Sequence, residues 1–195
     1  MTKKLPAVAM FVFATMVEAK SPKLNLHLVH NNPLEMRKEM QIERLAEKYD
    51  LTKYTLTTEI AIEQGGMAHS KPVLTLNGRF MDDDDLALSQ YVHEQGHWVL
   101  GKHQQQVRAL FDDLKRAFPG LPTTYPQGGF GEQDTYLHLP DLMLEWQAME
   151  DLVGEKRALA VMKFKEGDHY TELYKTVIEN REEMEQILKR YGIGW

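Results

Sequence analysis

The chain has 195 residues, of which 43% are apolar and 27% charged, and this composition is typical of a single globular domain. Its net charge of −6 and the absence of a long basic run argue against a nucleic-acid partner. No cysteine is present, so any metal must be held by histidine or carboxylate ligands rather than by thiolates.

The N-terminal segment has the layout of a secretory signal peptide. Two lysines at positions 3 and 4 precede an almost wholly apolar run, residues 5–17, and Val17 and Ala19 then suit a signal-peptidase site. The run is too short for a membrane span, which needs about 20 residues. We therefore predict a signal peptide over residues 1–19, a single domain over residues 20–195, and a periplasmic or secreted protein. The alternative for the apolar run is a buried first strand.

Strands and helices are mixed in the first part of the chain. Residues 23–30 alternate leucine with polar residues and predict a strand, whereas residues 34–49 carry the apolar stripe of a helix. Two further strands are predicted at residues 55–62 and 72–81, and the proline that begins the second indicates an edge position. Four consecutive aspartates, residues 82–85, favour the start of a helix over a calcium site.

Helices alone follow in the remainder. One is predicted to run to about residue 100, and others cover residues 103–118, 136–153, 155–165 and 170–191. A loop with three prolines and four glycines, residues 119–134, interrupts them, and loops of this length are often functional. The order of elements predicts an α+β fold.

The central motif is His93-Glu94-Gln95-Gly96-His97, which matches H-E-x-x-H inside a predicted helix. Residues four apart lie on the same helical face, so His93 and His97 can reach one ion. Zinc held in this way lowers the pKa of a water molecule to about 7, and Glu94 is placed to act as the general base. The motif predicts a zinc-dependent hydrolase; the alternative is two surface histidines on an amphipathic helix.

The third metal ligand is predicted on the helix over residues 136–153. Glu145 is the first choice, because a carboxylate within an apolar stripe is costly unless it meets a charge. The rival is His103, which follows the motif at the spacing of H-E-x-x-H-x-x-G-x-x-H, although Leu100 replaces the glycine of that pattern. Glu150 is a weaker candidate, because it lies on a different face.

Hydrogen-bond donors for the reacting carbonyl oxygen are predicted on the same helix. His138 lies seven residues before Glu145 and therefore on nearly the same face, and Tyr136 lies close by. We predict both as catalytic residues, with His169 and Tyr170 as further candidates. The alternative for each is a capping or partly buried polar residue.

The motif resembles that of the zincin superfamily of metallopeptidases, and a distant glutamate ligand would place the chain among the gluzincins. The phrases AHSKPVLTLNGR, HEQGHW and YLHLPDLMLEW, at residues 68–79, 93–98 and 136–146, look like those of a little-described group of bacterial predicted zinc peptidases. The resemblance implies a zincin-like α+β fold. Its small twisted sheet would have an edge strand along the cleft, beside an active-site helix and a mostly helical C-terminal half.

These features predict a zinc metallopeptidase that acts on a peptide or protein, which can add as a strand to the free edge of the sheet. No further membrane span is predicted, and the oligomeric state is left open. Two alternative functions stay open as well. One is a non-enzymatic zincin-like module that binds a peptide, and the other is a metal-dependent hydrolase of small amides or esters.

Overall fold

The computed structural model describes residues 22–195. The predicted signal peptide, and the alternative of a first strand in the same segment, lie outside the described residues. Between residues 22 and 195, no helix combines the length and the apolar character that crossing a membrane requires.

Three short parallel strands form one sheet in the order β1-β2-β3. They are β1 (Asn25–Leu28), β2 (Glu59–Ile62) and β3 (Leu74–Leu76), and β2 lies in the middle. Two parallel strands run in the same direction, so the chain must cross from the end of one strand back to the start of the next. Helix α1 (Pro33–Lys48) forms this crossover between β1 and β2. Ile60, which pairs with Leu74, is completely buried, so the sheet faces the core.

Six further helices complete the fold. Asp83 begins the first of them, because its side chain accepts hydrogen bonds from the backbone N–H groups of Asp85 and Leu86, as expected for an N-cap. The aspartate run therefore starts a helix, as predicted. The helices are α2 (Asp84–Lys102), α3 (Gln104–Ala117), α4 (Glu132–Val153), α5 (Glu155–Glu166), α6 (Thr171–Glu179) and α7 (Arg181–Arg190).

The predicted α+β class and the all-helical second part are confirmed. The strands are shorter than predicted, since the β-branched residues before Glu59 lie in irregular backbone and not in the sheet. The prediction of one continuous helix over residues 170–191 is wrong. The chain leaves helical geometry at Asn180, whose backbone and side-chain N–H groups both donate to the carbonyl of Thr176 and so end α6.

The outer edge of β3 is partly covered by the chain itself. His69 and Thr75 exchange two backbone hydrogen bonds of 3.0 and 2.7 Å in an antiparallel bridge. The cleft described below is bordered by residues 64–70 and 77–80, and not by the three residues of β3. This differs from the expected arrangement, because a peptide that added to β3 at Thr75 would first have to displace residue 69.

The turn between β1 and α1 is fixed by a buried carboxylate. Glu35 accepts hydrogen bonds from the backbone N–H of His30 and Gln64 at 2.8 and 2.9 Å, and it contacts the ring of His30. Burial alone would raise the pKa of Glu35, but the hydrogen bonds from Gln64 and His30 outweigh it and lower the pKa to about 2. The carboxylate thus ties the first crossover to the segment that follows β2.

Helix α2 packs along α4, and this contact positions the candidate site. Gly96 makes the close approach possible, since a Cβ added there would collide with Oδ1 of Asp141 on α4. Leu88 and Val92 of α2 and Leu142 of α4 are fully buried around the contact. The site described next lies where these two helices face each other, with one turn of each helix supplying the imidazoles.

Candidate metal centre

Three histidine side chains converge between α2 and α4. His93 and His97 come from α2 and His138 from α4, and the potential ligand atoms of the three all lie within 4.8 Å of one another. His93 and His138 are buried and His97 is partly buried. The three imidazoles therefore lie close enough to bind a metal ion. The motif predicts His93 and His97 as metal ligands, whereas His138 is predicted from the sequence as a hydrogen-bond donor to the reacting carbonyl oxygen.

Hydrogen bonds fix which nitrogen two of these rings can offer to a metal. Nδ1 of His138 lies 2.8 Å from the carbonyl oxygen of Asp134, which can only accept, so this Nδ1 carries the proton. Nδ1 of His93 lies 3.0 Å from Oε2 of Glu145, and an ionised carboxylate likewise requires a donor. Nε2 of each ring is then left with its lone pair, which is the arrangement of metal-binding histidines.

The environment of the two motif histidines keeps them neutral. Burial lowers the pKa of His93, although the nearby Glu145 partly offsets this. Burial lowers the pKa of His97 further below its usual value, and the neighbouring His93 and His138 add to the effect. A metal ligand must be a neutral imidazole, so the desolvated position between the helices suits this role.

Glu145 is completely buried and has four partners. It accepts hydrogen bonds from Ser89 and from Lys165 and Tyr174, both at 2.9 Å, in addition to its contact with His93. Burial would raise its pKa, but the charge of Lys165 and the hydrogen bond with His93 hold that pKa far below the usual range. Glu145 is thus a carboxylate that orients His93, and it lies outside the cluster of three imidazoles.

A second buried carboxyl, Asp141, lies between the two motif histidines. Its Oδ2 is 3.1 Å from Nδ1 of His93 and 3.4 Å from Nε2 of His97, yet neither of its oxygens makes a hydrogen bond among the described residues. Burial raises the pKa of Asp141 well above its usual value, and the nearby Glu145 and Glu94 raise it further. Asp141 is not among the site residues predicted from the sequence.

Glu94, the predicted general base, lies in the wall of the same cleft. It is 5% exposed, and its Oε2 has no hydrogen-bond partner between residues 22 and 195. Burial raises the pKa of Glu94 to about 8, although the charge of Lys165 lowers it in part. A buried carboxyl oxygen without a partner is costly in a folded protein, so it calls for an explanation in terms of function.

The imidazoles open into a cleft of about 650 Å³. Residues 64–70 and 77–80 form one wall, and the other is formed by the loop before α4 and by the turn before α6. Tyr170, in that turn, has a positive φ of 50° and its ring centroid lies 4.3 Å from that of His138. Strained backbone of this kind in a non-glycine residue is often found at functional sites.

An aromatic pair, Tyr125 and Phe130, forms the rim of the cleft. Their rings stack at 5.2 Å with an interplanar angle of 6°, and Phe130 is 61% exposed. The loop that carries them is anchored at both ends, because Phe130 donates its N–H to Asp134 at 2.8 Å and Thr171 donates to the carbonyl of Pro126 at 3.0 Å. The pair is thus an apolar surface held in place beside the imidazoles.

Of the other site residues predicted from the sequence, some line the cleft beside the three imidazoles and others lie elsewhere. His169 and Tyr170 line the cleft, but Tyr136 does not, and its hydroxyl donates to the carbonyl of Phe118 at 2.9 Å. His103 caps the junction of α2 and α3, away from the three imidazoles. Glu150 pairs with Arg181, whose guanidinium nitrogens lie 2.5 and 2.7 Å from its two oxygens.

No protein-family model, curated protein or solved structure matches the chain.

Proposed function

We propose that this protein is a zinc-dependent hydrolase, and specifically a peptidase, with His93, His97 and His138 as the metal ligands and Glu94 as the general base. The observation that carries the proposal is the convergence of three imidazoles beside a buried carboxyl oxygen that lacks a partner. Three protein ligands with one open position are typical of catalytic zinc sites. The ion would polarise a carbonyl oxygen and acidify a water molecule.

His138 takes the place of Glu145 as the proposed third ligand. Both oxygens of Glu145 are engaged by neighbouring donors, whereas the free Nε2 of His138 belongs to the imidazole cluster. A carboxylate that holds the distal nitrogen of a metal-binding histidine is a recurrent arrangement and fixes the orientation of the ring. We assign this positioning role to Glu145 with respect to His93.

Glu94 is proposed to move the proton. As the base it removes a proton from the attacking water, and as the conjugate acid it returns that proton to the leaving amine. Its position one residue after His93 places it beside the ligands without making it one. The unpartnered Oε2 supports this role, because water or a leaving group would complete its hydrogen bonding.

Tyr170 is proposed as the donor to the substrate carbonyl oxygen, in place of His138 and Tyr136. It lines the cleft beside His138, and its hydroxyl makes no hydrogen bond within the described part of the chain. Burial raises the pKa of Tyr170, so the hydroxyl keeps its proton at neutral pH and is able to donate. A donor aimed at the developing negative charge is commonly worth a factor of about 10²–10³ in rate.

The cleft supports a peptide as the substrate. The exposed aromatic pair beside the imidazoles suits an apolar side chain of a bound peptide. The signal-peptide pattern of the N-terminal residues leads us to propose a periplasmic or secreted location for this activity.

The test begins with metal content. Protein stripped with a chelator and reloaded with zinc is expected to hold one zinc per chain by elemental analysis. The loaded protein is then incubated with a mixture of synthetic peptides, and mass spectrometry is expected to show cleavage. The Glu94→Gln variant is the control, and it is expected to keep zinc and lose cleavage.

Each contrary result has a distinct meaning. Absence of zinc binding would refute the metal centre. Peptide binding without cleavage would indicate a binding module, and cleavage of nitrophenyl esters without cleavage of any peptide would indicate a small-molecule hydrolase.

A further inference from the structure

Gln90 carries a buried acceptor that the fold leaves unused. It lies on α2, one turn before Glu94, and it lines the cleft while being only 6% exposed. Its Oε1 is buried and has no hydrogen-bond partner among residues 22–195. Leaving such a group unsatisfied destabilises a folded protein, so its presence in a cleft wall indicates a partner that arrives with a ligand.

The neighbouring side chain determines which end of the Gln90 amide is left without a partner. Oδ1 of Asn77 accepts from the backbone N–H of Arg79 at 3.1 Å, and Nδ2 of Asn77 donates to the carbonyl of Gly66 at 3.0 Å. Because both ends of Asn77 are fixed by backbone groups, its Oδ1 must also be the acceptor for Nε2 of Gln90 at 2.8 Å. The unused atom of Gln90 is therefore the oxygen, which accepts only.

The spacing along α2 indicates where a donor on the substrate would lie. Four residues advance a helix by about 6 Å. In an extended peptide, N–H groups on the same side are two residues, or roughly 6.8 Å, apart. If Glu94 transfers the proton at the peptide bond that is cleaved, Gln90 lies opposite a backbone N–H of the substrate about two residues away from that bond.

We infer that Gln90 is a specificity residue whose Oε1 accepts a hydrogen bond from a backbone N–H of an extended peptide in the cleft. This inference rests on the proposed peptidase function and narrows its substrate to chains with an amide at that position. The network through Asn77 ties Gln90 to residues 64–70 and 77–80, so the acceptor is held in place before a ligand binds.

The experiment uses a probe that binds zinc and is not cleaved, the hydroxamate of acetyl-trialanine. Three analogues replace one amide N–H each by an ester oxygen, and calorimetry measures the dissociation constants with the zinc-loaded protein. One analogue is expected to bind roughly 10- to 100-fold more weakly than the parent, because it leaves the buried acceptor unpaired. In the Gln90→Met variant, that analogue and the parent are expected to bind equally.

Gln41 provides a matched control. Its Oε1 is also buried without a partner, but it lies on α1 and does not line the cleft. The Gln41→Met variant is expected to show the same discrimination among the probes as the wild type.

Two results would overturn the inference. One is a wild-type protein that binds all four probes equally, and the other is a Gln90→Met variant that keeps the discrimination. Either result would leave the metal centre standing, whereas absence of zinc in the loaded wild-type protein would remove the proposed function and this inference together.

Discussion

Substitution of Glu145 by glutamine distinguishes an orienting carboxylate from a metal ligand. The change removes one charge of a fully buried ion pair and leaves Lys165, itself 2% exposed, without its counter-charge. Removing one partner of a buried pair costs about 3–5 kcal/mol. For a chain of this size, that corresponds to a fall of roughly 6–20 °C in the unfolding temperature.

The metal readout separates the two roles. If Glu145 only orients His93, Glu145→Gln lowers zinc affinity by about 10- to 100-fold, as is typical when such supporting residues are changed, and one zinc per chain still binds at saturation. His138→Ala, in contrast, is expected to lose stoichiometric zinc while keeping most of its stability. Zinc titration with a chelator competitor measures both values, and thermal unfolding by circular dichroism measures stability.

A double variant controls for the charge left in the core. Replacing both Glu145 and Lys165, as in Glu145→Gln with Lys165→Met, is expected to restore part of the lost stability, because the ammonium group of Lys165 is no longer left in the core without Glu145. A folded Glu145→Gln protein that binds no zinc, together with a His138→Ala protein that binds one, would refute the reasoning and return Glu145 to the ligand set.

Three further predictions concern packing, pH and the rim of the cleft. Gly96→Ala is expected to destabilise the protein by about 1–3 kcal/mol in denaturant titrations, because the added methyl meets Asp141; an unchanged midpoint would contradict the close helix approach. The pKa of Glu35 is about 2 when folded and 4.5 without the fold, so its stabilisation is complete above about pH 4.5 and is lost towards pH 2. Between pH 4.5 and pH 2, the unfolding temperature should therefore fall less for Glu35→Gln than for the wild type. An equal fall for the two proteins would contradict the stabilising role of the Glu35 carboxylate. Phe130→Ala is expected to weaken any preference for apolar side chains in cleavage-site profiles of a peptide mixture, whereas Phe164→Ala, an exposed phenylalanine outside the cleft, leaves it unchanged.

Local sequence patterns predict the helices of the fold better than they predict which side chains contact one another at the candidate metal centre. The motif placed two imidazoles on one face of α2 because residues four apart must share that face. The same logic applies to α4, where His138, Asp141 and Glu145 follow at intervals of three and four, although only His138 and Glu145 are predicted as site residues. The apolar stripe correctly indicated that Glu145 needs a positive charge, but not which one.

Local sequence patterns do not predict that Lys165 is the cationic partner of Glu145. Lys165 and Tyr174 lie on α5 and α6, and nothing in their own segments distinguishes them from other helical lysines and tyrosines. Their contact with Glu145 arises only when the C-terminal helices fold back onto α4. In the same way, the bridge between His69 and Thr75 depends on a turn whose path the strand pattern does not specify.

The buried carboxyl groups around the imidazoles suit the divalent cation that we propose. Within residues 22–195, three buried carboxyl groups, those of Glu94, Asp141 and Glu145, face a single buried ammonium group from Lys165. If all were ionised, the group would carry two excess negative charges in a desolvated position, which is strongly unfavourable. A doubly charged ion among neutral imidazoles would balance them, and would explain why two of these carboxyls retain oxygens that no residue of the described chain contacts by a hydrogen bond.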